Sequence, residues 1–218
     1  MEELSVKKKR VMALFIESAE KILKEEGGSN LSIRRVSSEA GYNSATLYNY
    51  FHDLEHLRLF ASVKYLKEYA EMLAENLTDD MNAMEHYREV YQCFNYFAFR
   101  EPEVFHNIFF GKHSDSLADV LDIYYHQLFP DELAGLSEPT KKMLTQGTMH
   151  DRDRLMMENA VSEGFVAESK AEKTMDILIA VHQNFIYEAM MAGKDFDVEE
   201  HTIKFNNLFE YIFEAARP

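Results

Sequence analysis

Residues 31–51 read LSIRRVSSEAGYNSATLYNYF. Ser32 is placed to cap a short helix that turns Ile33, Val36 and Ala40 inward, and Gly41 supplies the left-handed backbone that ends it. Asn43 or Ser44 caps a second short helix over 44–50. That helix sends Leu47 and Phe51 to the core and leaves Ala45, Thr46, Tyr48 and Asn49 more exposed. Two short helices joined by a turn containing glycine form a helix-turn-helix, whose second helix enters the major groove of DNA.

On the N-terminal side, apolar positions recur at helical spacing over 6–26. Met12, Phe15, Ala19, Ile22 and Leu23 make one stripe, and Gly27 and Gly28 end the helix. On the C-terminal side, Asp53 caps a long helix reaching about residue 76, with Leu57, Phe60, Ala61 and Leu66 among its apolar positions. Further helices are predicted over 81–100, 103–111, 117–128, 138–163, 169–191 and 198–216, with breaks at residues 78–80, 101–102, 130–131 and 193–195. Only four prolines and eight glycines interrupt the chain, and no alternating strand pattern occurs. The fold class is therefore all-α. Residues 1–52 are expected to form a three-helix helix-turn-helix domain, and residues 53–218 a larger helical domain.

The net charge of −15 argues against nucleic acid, because binding to a phosphate backbone draws on Lys and Arg. Its distribution reverses that reading. Residues 1–60 hold nine Lys/Arg against nine Asp/Glu, whereas residues 61–218 hold fourteen against twenty-nine. Only the first part is suited to meet DNA. There Lys7, Lys8, Lys9 and Arg10 form a basic cluster, followed by Arg34 and Arg35. No run of about 18 apolar residues appears and the start is polar, so a cytoplasmic protein away from the membrane is expected. The single cysteine, Cys93, lies in an aromatic stretch and reads as a buried, inert thiol.

Residues 31–51 resemble the DNA-binding signature of the tetracycline-repressor (TetR) family. The likeness lies in the Ala40–Gly41 turn, the Thr46-Leu47-Tyr48 triplet, the Tyr50–Phe51 pair and Leu57 beyond them. It is strong over residues 8–60. It implies a ligand-responsive transcriptional regulator, not an enzyme, with no cofactor and with double-stranded operator DNA as partner. Repression is the family's usual mode. By the resemblance, Ser32 bonds a phosphate and Arg34 reaches a base edge. Arginine suits that task because its fork holds O6 and N7 of guanine together. Ser44, Ala45 and Thr46 face bases, and Tyr48, Asn49 and Tyr50 position the backbone. Lys8 and Arg35 complete the DNA-binding set. The likeness departs at Leu54, where the family often has lysine. A phosphate contact is missing there, and His52 or His56 are the side chains available to substitute. Ala45 stands where the family commonly has glycine.

The resemblance further implies a homodimer built from the last two helices. Ile177, Val181 and Phe185 on one, with Leu208, Phe209 and Ile212 on the other, are the expected interface. A small-molecule effector is expected between the middle helices. Tyr87, Tyr91, Phe94, Asn95, Phe109, Tyr124, Met149, Arg152 and Met156 are its candidate contacts, and this surface suits a hydrophobic or flat aromatic molecule.

Two other classes are compatible with an acidic, all-helical chain. A di-iron helix bundle needs two Glu-x-x-His pairs plus further carboxylates, and only Glu103–His106 has that spacing; no metal site is expected. The run from His150 to Asp153 reads as a charged helix face. A regulator-like protein that has lost operator binding and serves as a ligand sink stays open, because Leu54 is flanked by Asp53 and Glu55.

Overall fold

The computed structural model describes residues 3–134, 136, 138–145 and 147–218, with the backbone alone for residues 29, 139 and 143. Among the described residues there are no strands. Eleven α-helices follow one another among these residues: α1 (Val6–Glu26), α2 (Ile33–Glu39), α3 (Ser44–Leu47), α4 (Leu54–Asn76), α5 (Ala83–Ala98), α6 (Pro102–Phe110), α7 (Leu117–Asp122), α8 (Glu138–Leu144), α9 (Met149–Ser162), α10 (Ala171–Ala192) and α11 (Val198–Ala216).

The chain forms two compact units, residues 1–67 with 107–145 and residues 68–106 with 146–218. In the first, α1 is started by Ser5, whose hydroxyl accepts from the Lys8 N–H, and stopped at Gly27 with φ of 80°. Ser32 caps α2 and Asn43 caps α3. Between them Gly41 takes φ of 75°, a left-handed conformation that L residues adopt at a cost. The core is aromatic. Phe15 of α1 packs edge-on to Phe51 at 6.2 Å, and Phe51 to Phe60 of α4 at 5.6 Å. Leu47 of α3 is fully buried, so this anchor sets the rotation of α3 and the face it turns outward. The second short helix is shorter than the sequence predicts. After Leu47 the chain tightens, with Asn49 N–H to Thr46 O at 3.1 Å and Tyr50 N–H to Leu47 O at 3.0 Å.

Also in the first unit, α7 continues over Ile123–Leu128 as a wider turn, closed by Phe129 N–H to Tyr124 O at 2.8 Å. The widening lets adjacent Tyr124 and Tyr125 both turn inward.

The second unit packs α5 and α10 on α9, and α11 on α10. Residues 138–163 are not the single helix the periodicity predicts. The helix stops after Leu144 and restarts at Met149, because Thr148 and Asp151 cap each other's backbone. Asp151 N–H donates to Thr148 Oγ1 at 3.3 Å, and Thr148 N–H donates to Asp151 Oδ2 at 2.9 Å. Gly147 followed by Thr-x-x-Asp is the signal for this restart.

Candidate functional site

The surface around α3 is set by what its neighbours bury. With Leu47 held inside, Ser44, Ala45, Tyr48 and Asn49 are exposed, Thr46 is half-buried, and Tyr50 leans on Phe15 with ring centroids 6.4 Å apart. Thr46 donates its hydroxyl proton to Asn43 Oδ1 at 3.1 Å. Ser32 Oγ accepts from the Arg35 N–H at 3.4 Å and keeps its own proton to donate outward. Arg34 is exposed and makes no ion pair among the described residues, whereas Arg35 is engaged by the Glu26 carboxylate. Lys8 is exposed on the first turns of α1. The fold thus brings Ser32, Arg34, Ser44, Ala45, Tyr48 and Asn49 to the surface beside one short helix.

At the start of α4 a cluster forms that the sequence did not announce. Asp53 Oδ1 accepts from the His56 N–H at 2.9 Å, Lys112 Nζ reaches Asp53 Oδ2 at 2.6 Å, and His113 Nε2 lies 2.9 Å from Oδ1. The rings of His52, His56 and His113 lie 4.7–6.1 Å apart. Burial works to raise the Asp53 carboxyl, but Lys112, the His56 N–H and His113 together hold it well below the usual range. Burial pushes His56 down to about 4, and the charges of His52 and His113 add to the effect. His56 is therefore neutral at neutral pH and does not supply the cation missing at Leu54. The structure instead brings Lys112 to that place. No group of His, Cys, Asp or Glu among the described residues is arranged to hold a metal ion.

In the first unit, the Tyr124 side chain is buried. Its hydroxyl lies 3.0 Å from Glu20 Oε1 and 3.3 Å from Glu132 Oε1. Burial pushes the Glu20 carboxyl up to about 7, against the Tyr124 hydrogen bond and the Lys64 charge, which lower it. An acid raised from 4.5 to about 7 contributes stability that is fully present below 4.5 and is lost as pH climbs through 7. The buried histidines oppose this. His182, pushed down to about 3 by burial, favours the folded state more as pH rises toward 6.5. A variant separates the two. Thermal melts between pH 5 and 7.5 are expected to show Glu20→Gln gaining on the unsubstituted protein as pH rises. A stability difference independent of pH would refute the assignment.

In the second unit, α5 places Tyr87, Tyr91, Phe94 and Asn95 on one buried stripe, and α9 faces it with Met149, Arg152 and Met156. Seven of the nine candidate effector contacts thus lie in the core of one unit. Phe109 and Tyr124 belong to the other unit. Sequence reading missed Asp153. The run from His150 to Asp153 is not a charged face, because Arg152 and Asp153 both point inward and Asp153 has no exposure at all. They fall on the helical stripe of Met149, Met156 and Ala160, and that periodicity was the available signal. Asp153 Oδ2 accepts from Tyr91 OH at 2.8 Å, and His182 Nε2 meets Asn95 Oδ1 at 2.7 Å. Cys93 is buried, which pushes its thiol up to about 12 and keeps it unreactive at neutral pH. A separate cleft of about 590 Å³ borders the outer face of α9 and the start of α10, lined by Met157, Val161, Met175, Arg154, Glu158 and Glu172. None of the sequence-named contacts lines it.

The expected interface residues divide by face. Ile177 and Leu208 are exposed and Val181 is half-buried, whereas Phe185, Phe209 and Ile212 are buried within their own unit. Phe209 sits 5.9 Å from Tyr87 and 5.8 Å from Tyr91. Outside lies a second apolar stripe that also includes Tyr187, Met191 (70% exposed), Ile203 and Tyr211 (73% exposed).

The described residues thus hold a helix-turn-helix and a helical bundle with a polar centre. Residues 15–59 match the family model described as bacterial regulatory proteins, tetR family. That match lies over the helix-turn-helix in the N-terminal part of the chain, which is therefore similar to the N-terminal segment of tetR-family regulators.

Three solved structures share its fold. The TetR-family repressor FadR of Thermus thermophilus, in complex with lauroyl-CoA, superimposes with a TM-score of 0.56 at 14% identity, over 91% of this chain and 92% of that one. A protein of unknown function from Rhodococcus sp. RHA1 gives 0.54 at 15% identity, over 95% and 96%. The fatty acid degradation regulator FadR of Bacillus halodurans gives 0.51 at 15% identity, over 97% of each chain. No curated protein matches the chain in sequence. Among the described residues no helix is long and apolar enough to cross a membrane.

Proposed function

We propose that the protein is a cytoplasmic repressor that holds a palindromic operator as a homodimer and releases it when a small hydrophobic or aromatic effector binds. Residues 1–52 read the DNA, and residues 53–218 bind the effector and the second subunit. The observation that carries this reading is the face of α3. Buried Leu47 turns Ser44, Ala45, Tyr48 and Asn49 outward beside an exposed Arg34 that makes no ion pair among the described residues. Arg34 reads a base edge, Ser44 to Thr46 face the bases, and Ser32, Tyr48, Asn49 and Tyr50 position the phosphates. Lys8 and Arg35 add backbone attraction, and Lys112 stands in at the start of α4 for the lysine absent at Leu54. The exposed stripe of α10 and α11 pairs with its copy about a two-fold axis. The effector lies among Tyr87, Tyr91, Phe94, Asn95, Met149, Arg152 and Met156. Its differential affinity for two conformers sets the extent of release.

The test is a selection. Purified protein is mixed with random duplex DNA at moderate salt, and the retained molecules are sequenced. A palindromic consensus with half-sites about one helical turn apart is expected. Recovery of nothing beyond salt-sensitive background would overturn operator binding and favour a ligand sink, the reading suggested by the acids flanking Leu54.

A further inference from the structure

The centre of the second unit holds polar atoms that the chain leaves unsatisfied. Asp153 Oδ1, Tyr87 OH, Asn95 Nδ2 and His182 Nδ1 are all buried and have no hydrogen-bond partner within 3.5 Å among the described residues, and none of these four residues is more than 1% exposed. They belong to one connected patch. Tyr91 donates to the other oxygen of Asp153 at 2.8 Å, and its ring lies 5.8 Å from that of Tyr87 and 5.2 Å from that of His182. His182 in turn meets Asn95 Oδ1 at 2.7 Å. Buried polar groups are almost always paired, so four orphans in one patch mark a place built to receive a partner from outside the chain.

The chemistry of that partner follows from which valences are open. Asn95 Oδ1 only accepts, so the His182 nitrogen facing it carries the proton and Nδ1 is a bare acceptor. Asp153 Oδ1 is an acceptor as well, and Tyr87 OH can accept. Asn95 Nδ2 is the single obligatory donor. The Nε of Arg152 is turned to the Gly147 carbonyl oxygen at 3.2 Å. Around the patch stand the rings of Tyr87, Tyr91, Phe94, Phe205 and Phe209, whose faces attract cations.

We propose that the effector carries a protonated amine, which donates to Asp153 Oδ1 while its apolar body lies against these aromatic rings. This rests on the ligand-responsive reading above and narrows it to cationic amphiphiles, excluding carboxylates, which Asp153 repels. Burial raises the Asp153 carboxyl to about 7, against the lowering effect of the Tyr91 hydrogen bond and of the Tyr87 hydroxyl, which stands near it beyond ordinary bonding distance. The carboxyl ionises readily when a cation arrives, and binding of the amine strengthens as pH rises through that value.

The test uses the full-length protein and matched probes. Benzylamine, 2-naphthylmethylamine and n-dodecylamine are each compared by calorimetry at pH 8 with the alcohol and the carboxylate of the same body. At least one amine is expected to bind ten or more times more tightly than its alcohol, with no binding of its carboxylate. Asp153→Asn is expected to erase that preference while leaving the alcohol within about threefold. Tyr87→Phe, which keeps the ring, loses less. Circular dichroism and a thermal melt establish that each variant is folded. Absence of amine binding at millimolar concentration, or a preference that survives Asp153→Asn, overturns the proposal. A protein that selects an operator yet shows no amine preference refutes this inference and leaves the regulator reading intact. One that prefers amines through Asp153 yet selects no operator does the reverse.

Discussion

Arg34→Ala is expected to lower affinity for the selected operator by about 10- to 100-fold, equivalent to about 1–3 kcal/mol, and to relax the consensus at one base pair in each half-site. The side chain stands exposed on α2 beside the outward face of α3, without an acidic partner among the described residues, and it contributes nothing to the core. The loss therefore appears in recognition and not in stability. Lys8→Ala is the control, because a backbone contact weakens all sequences alike and flattens the salt slope by about one unit. Arg35→Ala is expected to fall between the two, since Glu26 already holds its guanidinium. Both effects are measured by fluorescence anisotropy with the selected duplex and a scrambled one at several salt concentrations. Operator affinity unchanged by Arg34→Ala would remove the base-reading role.

The larger effect is expected from the outer stripe of α10 and α11. Leu208→Glu combined with Tyr211→Glu should convert the dimer to a folded monomer and lower operator affinity by about 10²- to 10⁴-fold. A lone half-site contact loses the gain of linkage to a second. Both side chains are exposed in the single chain, so the charges they introduce remain solvated in the monomer. Phe209→Glu one position away should instead unfold the second unit, because Phe209 is packed on Tyr87 and Tyr91. Sedimentation velocity reads the first outcome and circular dichroism the second. A double variant that still sediments as a dimer would place the interface elsewhere.

Much of this architecture was legible before any coordinates. Helix α1 ends at Glu26 because Gly27 and Gly28 follow it, and α11 starts at Val198 because Asp197 caps it. Ser32, Gly41, Asn43 and Asp53 mark out the helix-turn-helix with local signals of capping and backbone conformation, which act over three or four residues and are therefore written in order along the chain. The exposed face of α3 follows once Leu47 is recognised as an anchor.

Other features depended on packing between distant segments. The sequence offers Leu208, Phe209 and Ile212 alike as apolar positions of α11, but only the structure shows that Phe209 and Ile212 turn inward while Leu208 and Tyr211 stay out. Two adjacent apolar stripes on one helix look alike until a neighbour covers one of them. Lys112 reaches the start of α4 from 59 residues away, and Tyr124 reaches Glu20 from 104. No local pattern encodes either pairing. Asp153 is the sharpest case. Its charge suggests solvent, its helical position suggests the core, and the contest is decided by the surrounding hydroxyl of Tyr91 and the aromatic shell that α5, α10 and α11 assemble around it. Local backbone chemistry determined where the helices begin and end, and tertiary packing determined which faces are buried and which polar groups meet, because burial is a property of neighbours.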